Sequence, residues 1–328
     1  MTLMRFPRLA IGLAAALMLA ASNPAWSLPE DGFVRVPGGR IAFRVIGTAN
    51  AVPVLVIHGG PGGGSCSYAA TMVPLSAERP VVMYDQLGTG SSDKMLDLQR
   101  DAVLPRFVEE VTALRAKLGL KEIHLVGHSW GATVALEYLL TTKPTGVRSV
   151  SFVGPLLSTP EWIADAKALV ATLPAETQAA INAAVASGKF DSPEFKAADR
   201  VFASNFGRRH PISKERQQAE FGACASSPRN FNRELYEYMW GPSEFVANGT
   251  LRDYDRSDRL KELTLPTLFL VGEFDEARPS TVRKFQALVP GSVVKVIADA
   301  GHGLPSDQTK AFNDTLSEFM AAAERRKP

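Results

Sequence analysis

The sequence predicts an α/β fold: a mostly parallel sheet with helices on both faces and an inserted, mainly helical cap. Three observations carry this. From residue 52 onward, apolar runs of strand length alternate with helical stretches, the rhythm of a parallel sheet covered on both sides. The rhythm breaks between about Leu157 and Leu263, a long stretch of helical composition without a strong strand. And a serine flanked by glycines, Gly127-His128-Ser129-Trp130-Gly131, stands directly behind the apolar run Ile123-His124-Leu125-Val126, where a strand would turn sharply into a helix.

The elements follow in order. Arg5 and Arg8 precede an apolar stretch from Leu9 to Ala21, and Ala25-Trp26-Ser27 offers small residues for a signal peptidase. Residues 1–27 therefore read as a signal peptide cleaved after Ser27. The apolar stretch is shorter than the ~20 residues of a comfortable membrane span, so an exported protein is expected, periplasmic or extracellular, with no stable membrane span after cleavage. Phe33–Val36 and Ile41–Val45 alternate around Pro37-Gly38-Gly39-Arg40, as a hairpin does. Further strands are expected near 52–58, 80–85, 121–128, 148–153, 266–272 and 293–298. Val103, Leu104, Phe107, Val108, Val111, Leu114 and Leu118 mark one helix face; another helix begins near Ser280, and Asp307–Arg325 is a last amphipathic one. The core is then 28–157 with 264–328, and the cap 158–263.

Composition narrows the class. The chain has 328 residues, 45% hydrophobic and 21% charged, which is ordinary for a globular protein. Its formal charge is +2, and Arg5 and Arg8 of the leader account for it. A near-neutral mature chain lacks the footprint of a nucleic-acid binder. Cys66 and Cys224 are the two cysteines; they are either paired, as an oxidising compartment permits, or two separate thiols. No His/Cys cluster recurs at ligand spacing, so neither a metal nor a cofactor is expected.

A nucleophilic serine needs a base and a carboxylate. On a sheet of this kind the order is serine, acid, histidine, and only His210 and His302 follow Ser129. His210 lies in the basic, proline-bounded segment Arg208-Arg209-His210-Pro211, which reads as solvated surface. His302 lies in Ala300-Gly301-His302-Gly303, just past the apolar run Val293–Ile297. The acid is expected after the preceding strand, at Asp275, with Glu273 as its competitor. In this triad His302 takes the Ser129 proton while Asp275 fixes its tautomer and stabilises the imidazolium.

An oxyanion hole needs backbone amides that approach closely. His58-Gly59-Gly60-Pro61-Gly62-Gly63-Gly64 follows the strand over 52–57, so Gly60 is the first expected donor and Trp130, after the nucleophile, the second. The same glycines lack the Gly-Lys-Ser/Thr or GxGxxG context of a phosphate loop. His58 is read as holding the glycine loop, His128 as packing, and Asp85, in Asp85-Gln86-Leu87-Gly88-Thr89-Gly90-Ser91-Ser92, as fixing a turn.

Four segments together resemble the proline iminopeptidases, serine aminopeptidases of the α/β-hydrolase fold: His58-Gly59-Gly60-Pro61-Gly62, Asp85-Gln86-x-Gly88-x-Gly90-x-Ser92, Gly127-x-Ser129-Trp130-Gly131 and Gly272-Glu273-x-Asp275-Glu276. A fifth, Met239-Trp240-Gly241-Pro242-Ser243-Glu244-Phe245, resembles the family's cap motif. The resemblance covers essentially the whole mature chain. It implies release of an N-terminal residue, proline by preference, from peptides with a free N-terminus. It also implies that Glu244 and Glu276 hold the substrate's α-ammonium, chemistry that paired carboxylates in a partly dry pocket perform strongly. Leu87 departs from the arginine that many bacterial members carry there, and outside the Glu244 motif the cap shows no readable side-chain pocket. The alternative is a cap-bearing esterase or lactonase of the same fold, with the same triad and no need of an amine clamp. Dehalogenase and epoxide hydrolase chemistry requires a carboxylate where this chain has Ser129.

Overall fold

Eight strands form one sheet in the order β1-β2-β4-β3-β5-β6-β7-β8. The structure is a computed structural model, which describes residues 31–210 and 231–326. The predicted leader and Cys224, and with them the cleavage site and the question of a Cys66–Cys224 pair, lie outside the described residues. Among the described residues no helix is long and apolar enough to cross a membrane.

β1 (Asp31–Val36) and β2 (Gly39–Ile46) are the hairpin, and β2 runs antiparallel to β4 (Val81–Tyr84). From β4 onward every pairing is parallel: β3 (Val54–Ile57), β5 (Ile123–His128), β6 (Val147–Val153), β7 (Thr267–Gly272) and β8 (Val293–Ile297). β3, β4, β5 and β7 are buried along their whole length. That explains their continuous apolar runs, since a parallel strand with both faces covered has no polar side to show.

The helices α1 (Cys66–Ala69) and α2 (Val73–Ser76) follow β3, while α3 (Leu98–Asp101) and α4 (Leu104–Lys117) lead into β5. α4 carries the predicted face, with Phe107, Val111 and Leu114 fully buried. α5 (Trp130–Thr142) is buried nearly all round and fills the middle of the molecule. One departure concerns the last helix. Instead of a single helix over Asp307–Arg325 there are two, Leu304–Asp307 and Thr309–Glu324, broken at Gln308, whose φ and ψ are −134° and 57°. The break leaves the Asp307 carboxylate beside the preceding loop, where it accepts from Gly301 N at 2.9 Å and from Arg209 N at 3.1 Å.

Between β6 and β7 the described chain adds no strand to the sheet. It forms α6 (Thr159–Val170), α7 (Ala175–Ser187), α8 (Pro193–Phe202), a wide turn Ala203–Gly207, and the helix Arg233–Met239. Local signals set the starts. Ser158 and Ser192 cap α6 and α8 through Glu161 N and Phe195 N, each ahead of a proline in the first turn. Asn232 caps Arg233–Met239 and also ties it down, accepting from Leu235 N, donating its backbone N–H to Gly62 O at 2.8 Å and its amide to Gly88 O at 2.9 Å. The insertion has a small core of its own, in which the rings of Phe195 and Phe202 meet Phe245 edge-on, at 6.1 and 4.8 Å between centroids.

Candidate active site

Ser129 is the single residue between β5 and α5, and its backbone is forced to φ 56°, ψ −122°. A serine in that region is strained, and the turn persists because its surroundings are packed around it. Ser129 N donates to Val153 O at 2.9 Å, and a Cβ on Gly131 would lie 2.2 Å from Ile57 O. Only glycine lets α5 start this close to β3. The result presents Ser129 in a pocket of about 480 Å³, within the ordinary range for small-ligand sites. Gly59, Gly60, Gly63, Gly64, Leu156, Trp162, Arg208, Phe231, Tyr236, Trp240, Glu244, Glu276 and His302 also line it.

Asp275 lies three residues past the end of β7 and is buried. Its Oδ1 accepts from Ala277 N at 2.9 Å and meets His302 Nδ1 at 2.8 Å. Glu273 is elsewhere, accepting from Asp299 N at 3.0 Å on the surface, so the two acids after β7 are separated by direction. His302 is fixed on every side. Its N–H donates to Phe206 O at 2.7 Å, its carbonyl meets His128 Nε2 at 2.9 Å, and its ring stands edge-on to Trp162 at 5.4 Å. Nε2, the nitrogen left free by Asp275, has Glu276 Oε1 3.7 Å away.

His58 and His128 hold the loops. His58 Nδ1 donates to Gly59 O at 2.8 Å while its Nε2 accepts from Gln86 N at 3.1 Å. Gln86 in turn donates to His58 O at 3.2 Å and accepts from Trp130 Nε1 at 2.8 Å, tying the glycine loop to the first residue of α5. Gly60, with φ 135°, lines the pocket; the Trp130 ring is buried against Phe107. Asp85 fixes its turn, its carboxylate accepting from Ser65 N, Ser65 Oγ and Ser91 N, each at 2.8 Å. His128 takes a hydrogen bond from the Tyr68 hydroxyl on Nδ1 and gives one from Nε2 to His302 O. Burial and the neighbouring His302 push its pKa down to about 3, so it stays neutral.

The electrostatics centre on Glu244 and Glu276. Glu244 accepts from the Tyr236 hydroxyl, and Glu276 faces His302. Burial raises both carboxyls; Glu276 reaches about 8, with Glu244 and Asp275 adding to the rise. Burial alone would lower His302, but Asp275 and Glu276 overcome it and lift the imidazole to about 9. Without a substrate this site has more carboxylates than cations, and it holds protons to compensate.

The structure thus brings Ser129, His302, Glu244, Glu276 and Gly60 to one pocket, with Asp275 behind His302. His210 is at the surface, meeting Asp299 at 3.0 Å. Arg208, in the basic segment read as solvated, is exposed and also lines the pocket. Trp162, Tyr236 and Phe231 were also missed. They come from the insertion, where an aromatic residue at helical spacing looks like core.

The chain is similar to known proteins over most of its length. Residues 52–307 match the alpha/beta hydrolase fold family. A proline iminopeptidase of Heyndrickxia coagulans is 40% identical over 88% of this chain and 98% of its own. A solved proline iminopeptidase of Mycobacterium smegmatis superposes with a TM-score of 0.79 at 28% identity, covering 89% of this chain and 98% of that one. The solved structure of VinJ matches with the same score and identity over 90% of this chain and 99% of its own.

Proposed function

We infer that this chain, which belongs to the proline iminopeptidase family of α/β-hydrolase-fold proteins, is a serine aminopeptidase that releases N-terminal proline from peptides. The observation that carries the mechanism is the 2.8 Å contact of Asp275 with His302 in a site that also holds Ser129 and the two glutamates Glu244 and Glu276. Ser129 Oγ attacks the first peptide carbonyl as His302 Nε2 takes its proton. Asp275 keeps the Nδ1 tautomer and stabilises the imidazolium. The backbone N–H groups of Gly60 and Trp130 receive the oxyanion. His302 then protonates the leaving amine, and water, deprotonated by the same nitrogen, releases the acyl group.

The glutamates account for the exopeptidase preference. An α-ammonium between Glu244 and Glu276 pairs both carboxylates at once. A blocked N-terminus would leave two carboxylates desolvated and unpaired, a large cost in a dry pocket. Trp162, Leu156 and Trp240 give the first side chain an apolar wall. An esterase or lactonase reading uses the same triad, but it gives the pairing of Glu244 with Glu276 no ligand to hold.

The test is a paired assay. Proline p-nitroanilide should be cleaved far faster than its N-acetylated form or a p-nitrophenyl ester, and Ser129→Ala should abolish the activity. Equal rates on free and blocked anilides would sink the amine clamp. Glu244→Gln should act mainly on KM; unchanged kinetics would remove it from the site. Export is proposed on the leader alone, from Arg5, Arg8, the apolar stretch Leu9–Ala21 and Ala25-Trp26-Ser27. N-terminal sequencing of the protein recovered outside the cytoplasm should begin at Leu28; an N-terminus at Met1 would reject it.

A further inference from the structure

We propose that Arg208 binds the C-terminal carboxylate of the substrate, so that dipeptides and tripeptides with a free C-terminus are favoured over the same peptides amidated. This rests on the aminopeptidase reading and adds a second recognition point to it.

Arg208 is placed firmly. Its N–H donates to Ala203 O at 2.8 Å, closing the turn at Ala203–Gly207. That turn is stitched to the loop of the base: His302 N donates to Phe206 O at 2.7 Å and Gly303 N to Gly207 O at 2.6 Å. The Arg208 Cβ lies 3.4 Å from where a Cβ on Gly303 would stand. Arg208 lines the same pocket as Ser129 and His302. Its neighbour Arg209 is engaged elsewhere, bonded to Asp299 at 3.1 Å and stacked 3.8 Å over Phe274. Arg208 meets no carboxylate at ion-pair distance among the described residues, and it is exposed. With no counter-ion among the described residues, this side chain is suited to receive an anion.

The turn that carries Arg208 is bonded to the loop of His302, the residue that protonates the leaving amine. The Arg208 charge also reaches Tyr68, of α1, which lines the same pocket. Burial pushes that phenol up, and the Gly59 backbone bond and the Arg208 charge pull it partly back. A short prolyl peptide is a zwitterion whose scissile carbonyl lies between its ammonium and its carboxylate. With the ammonium at Glu244 and Glu276 and the carbonyl at Ser129, the leaving residue carries the carboxylate, which a guanidinium receives with two parallel hydrogen bonds. Each added residue moves that carboxylate by up to ~3.5 Å, so the benefit belongs to the shortest peptides.

The test compares kcat/KM for prolyl-glycine and prolyl-glycyl-glycine with their C-terminal amides, and for a prolyl peptide with five glycines in both forms. Wild type should favour the short acids by about tenfold, the worth of a partly exposed charge-assisted bond, mostly in KM. The preference should shrink with added salt and vanish at five glycines. Arg208→Gln should bring the acid-to-amide ratio to about one, and Arg208→Lys should restore part of it. Equal rates on short acid and amide in wild type, or a preference that survives in Arg208→Gln, overturns the inference while proline anilide cleavage upholds the aminopeptidase reading. Failure to cleave any prolyl substrate, the anilide included, overturns both.

Discussion

A Cβ on Gly154 would lie 2.9 Å from His302 Nδ1 and 2.9 Å from Asp275 Oδ2. The end of β6 thus forms the floor on which the acid–base pair rests, and its φ of 47° suits glycine. Gly154→Ala should keep the fold and lose kcat by about 100-fold, because a displacement near 1 Å at the base costs that much. The check is kcat on proline anilide beside circular dichroism. A variant with native kcat would show that the pair tolerates the shift.

The pH response follows from the carboxylates around His302. The imidazole is lifted to about 9 against its burial, by Asp275 first and Glu276 next. Removing the Glu276 charge should therefore lower its pKa. Glu276→Gln should move the acid limb of Ser129 inactivation by a neutral sulfonyl fluoride toward lower pH. That reagent needs no ammonium, so the measurement is separate from substrate binding. A limb that stays in place, or moves up, would remove Glu276 from the set that controls the base.

Tyr236 separates binding from chemistry. Its hydroxyl bond holds Glu244 toward its charged form, against the burial that raises it. Tyr236→Phe should leave Glu244 protonated over more of the neutral range and weaken the ammonium site. KM for proline anilide should rise by about 10- to 100-fold, the worth of one hydrogen bond to a charged group, with a smaller change in kcat. A fall in kcat at constant KM would place Tyr236 in the chemical step instead.

These positions show what the sequence could and could not reveal. Strands β3, β4, β5 and β7 were legible because burial on both faces writes a continuous apolar run. Ser129, Asp275 and His302 were legible as places because each stands just past such a run, where the chain must turn over the sheet. Tyr236 and Trp162 carried no such signal; their helices use the same spacing whether an aromatic faces a core or a pocket. The place of Arg208 at the pocket left no mark either, because a basic run before a proline looks like surface, and two of its three residues, Arg209 and His210, do pair with Asp299 there. Gly154 looked like a strand end, since closeness to residues over a hundred positions away leaves no local mark.

Glu110 offers a stability test away from the site. It is buried in α4, where Oε1 accepts from Leu87 N at 3.1 Å; among the described residues Oε2 has no hydrogen-bond partner, nor has the Tyr84 hydroxyl, whose pKa its charge raises. Burial raises its carboxyl well above the usual range. A carboxyl raised by folding binds its proton more tightly in the native state. Its contribution is therefore favourable below the unfolded pKa of about 4.3 and is lost as pH rises from there toward the folded value. Glu110→Gln keeps an acceptor for Leu87 N and removes the charge. It should stabilise the protein by about 1–3 kcal/mol at pH 8, the range for an uncompensated buried polar group, and by less at pH 5. Urea unfolding at the two pH values measures this. A variant equally destabilised at both would mean that the buried carboxylate has a partner that glutamine cannot replace.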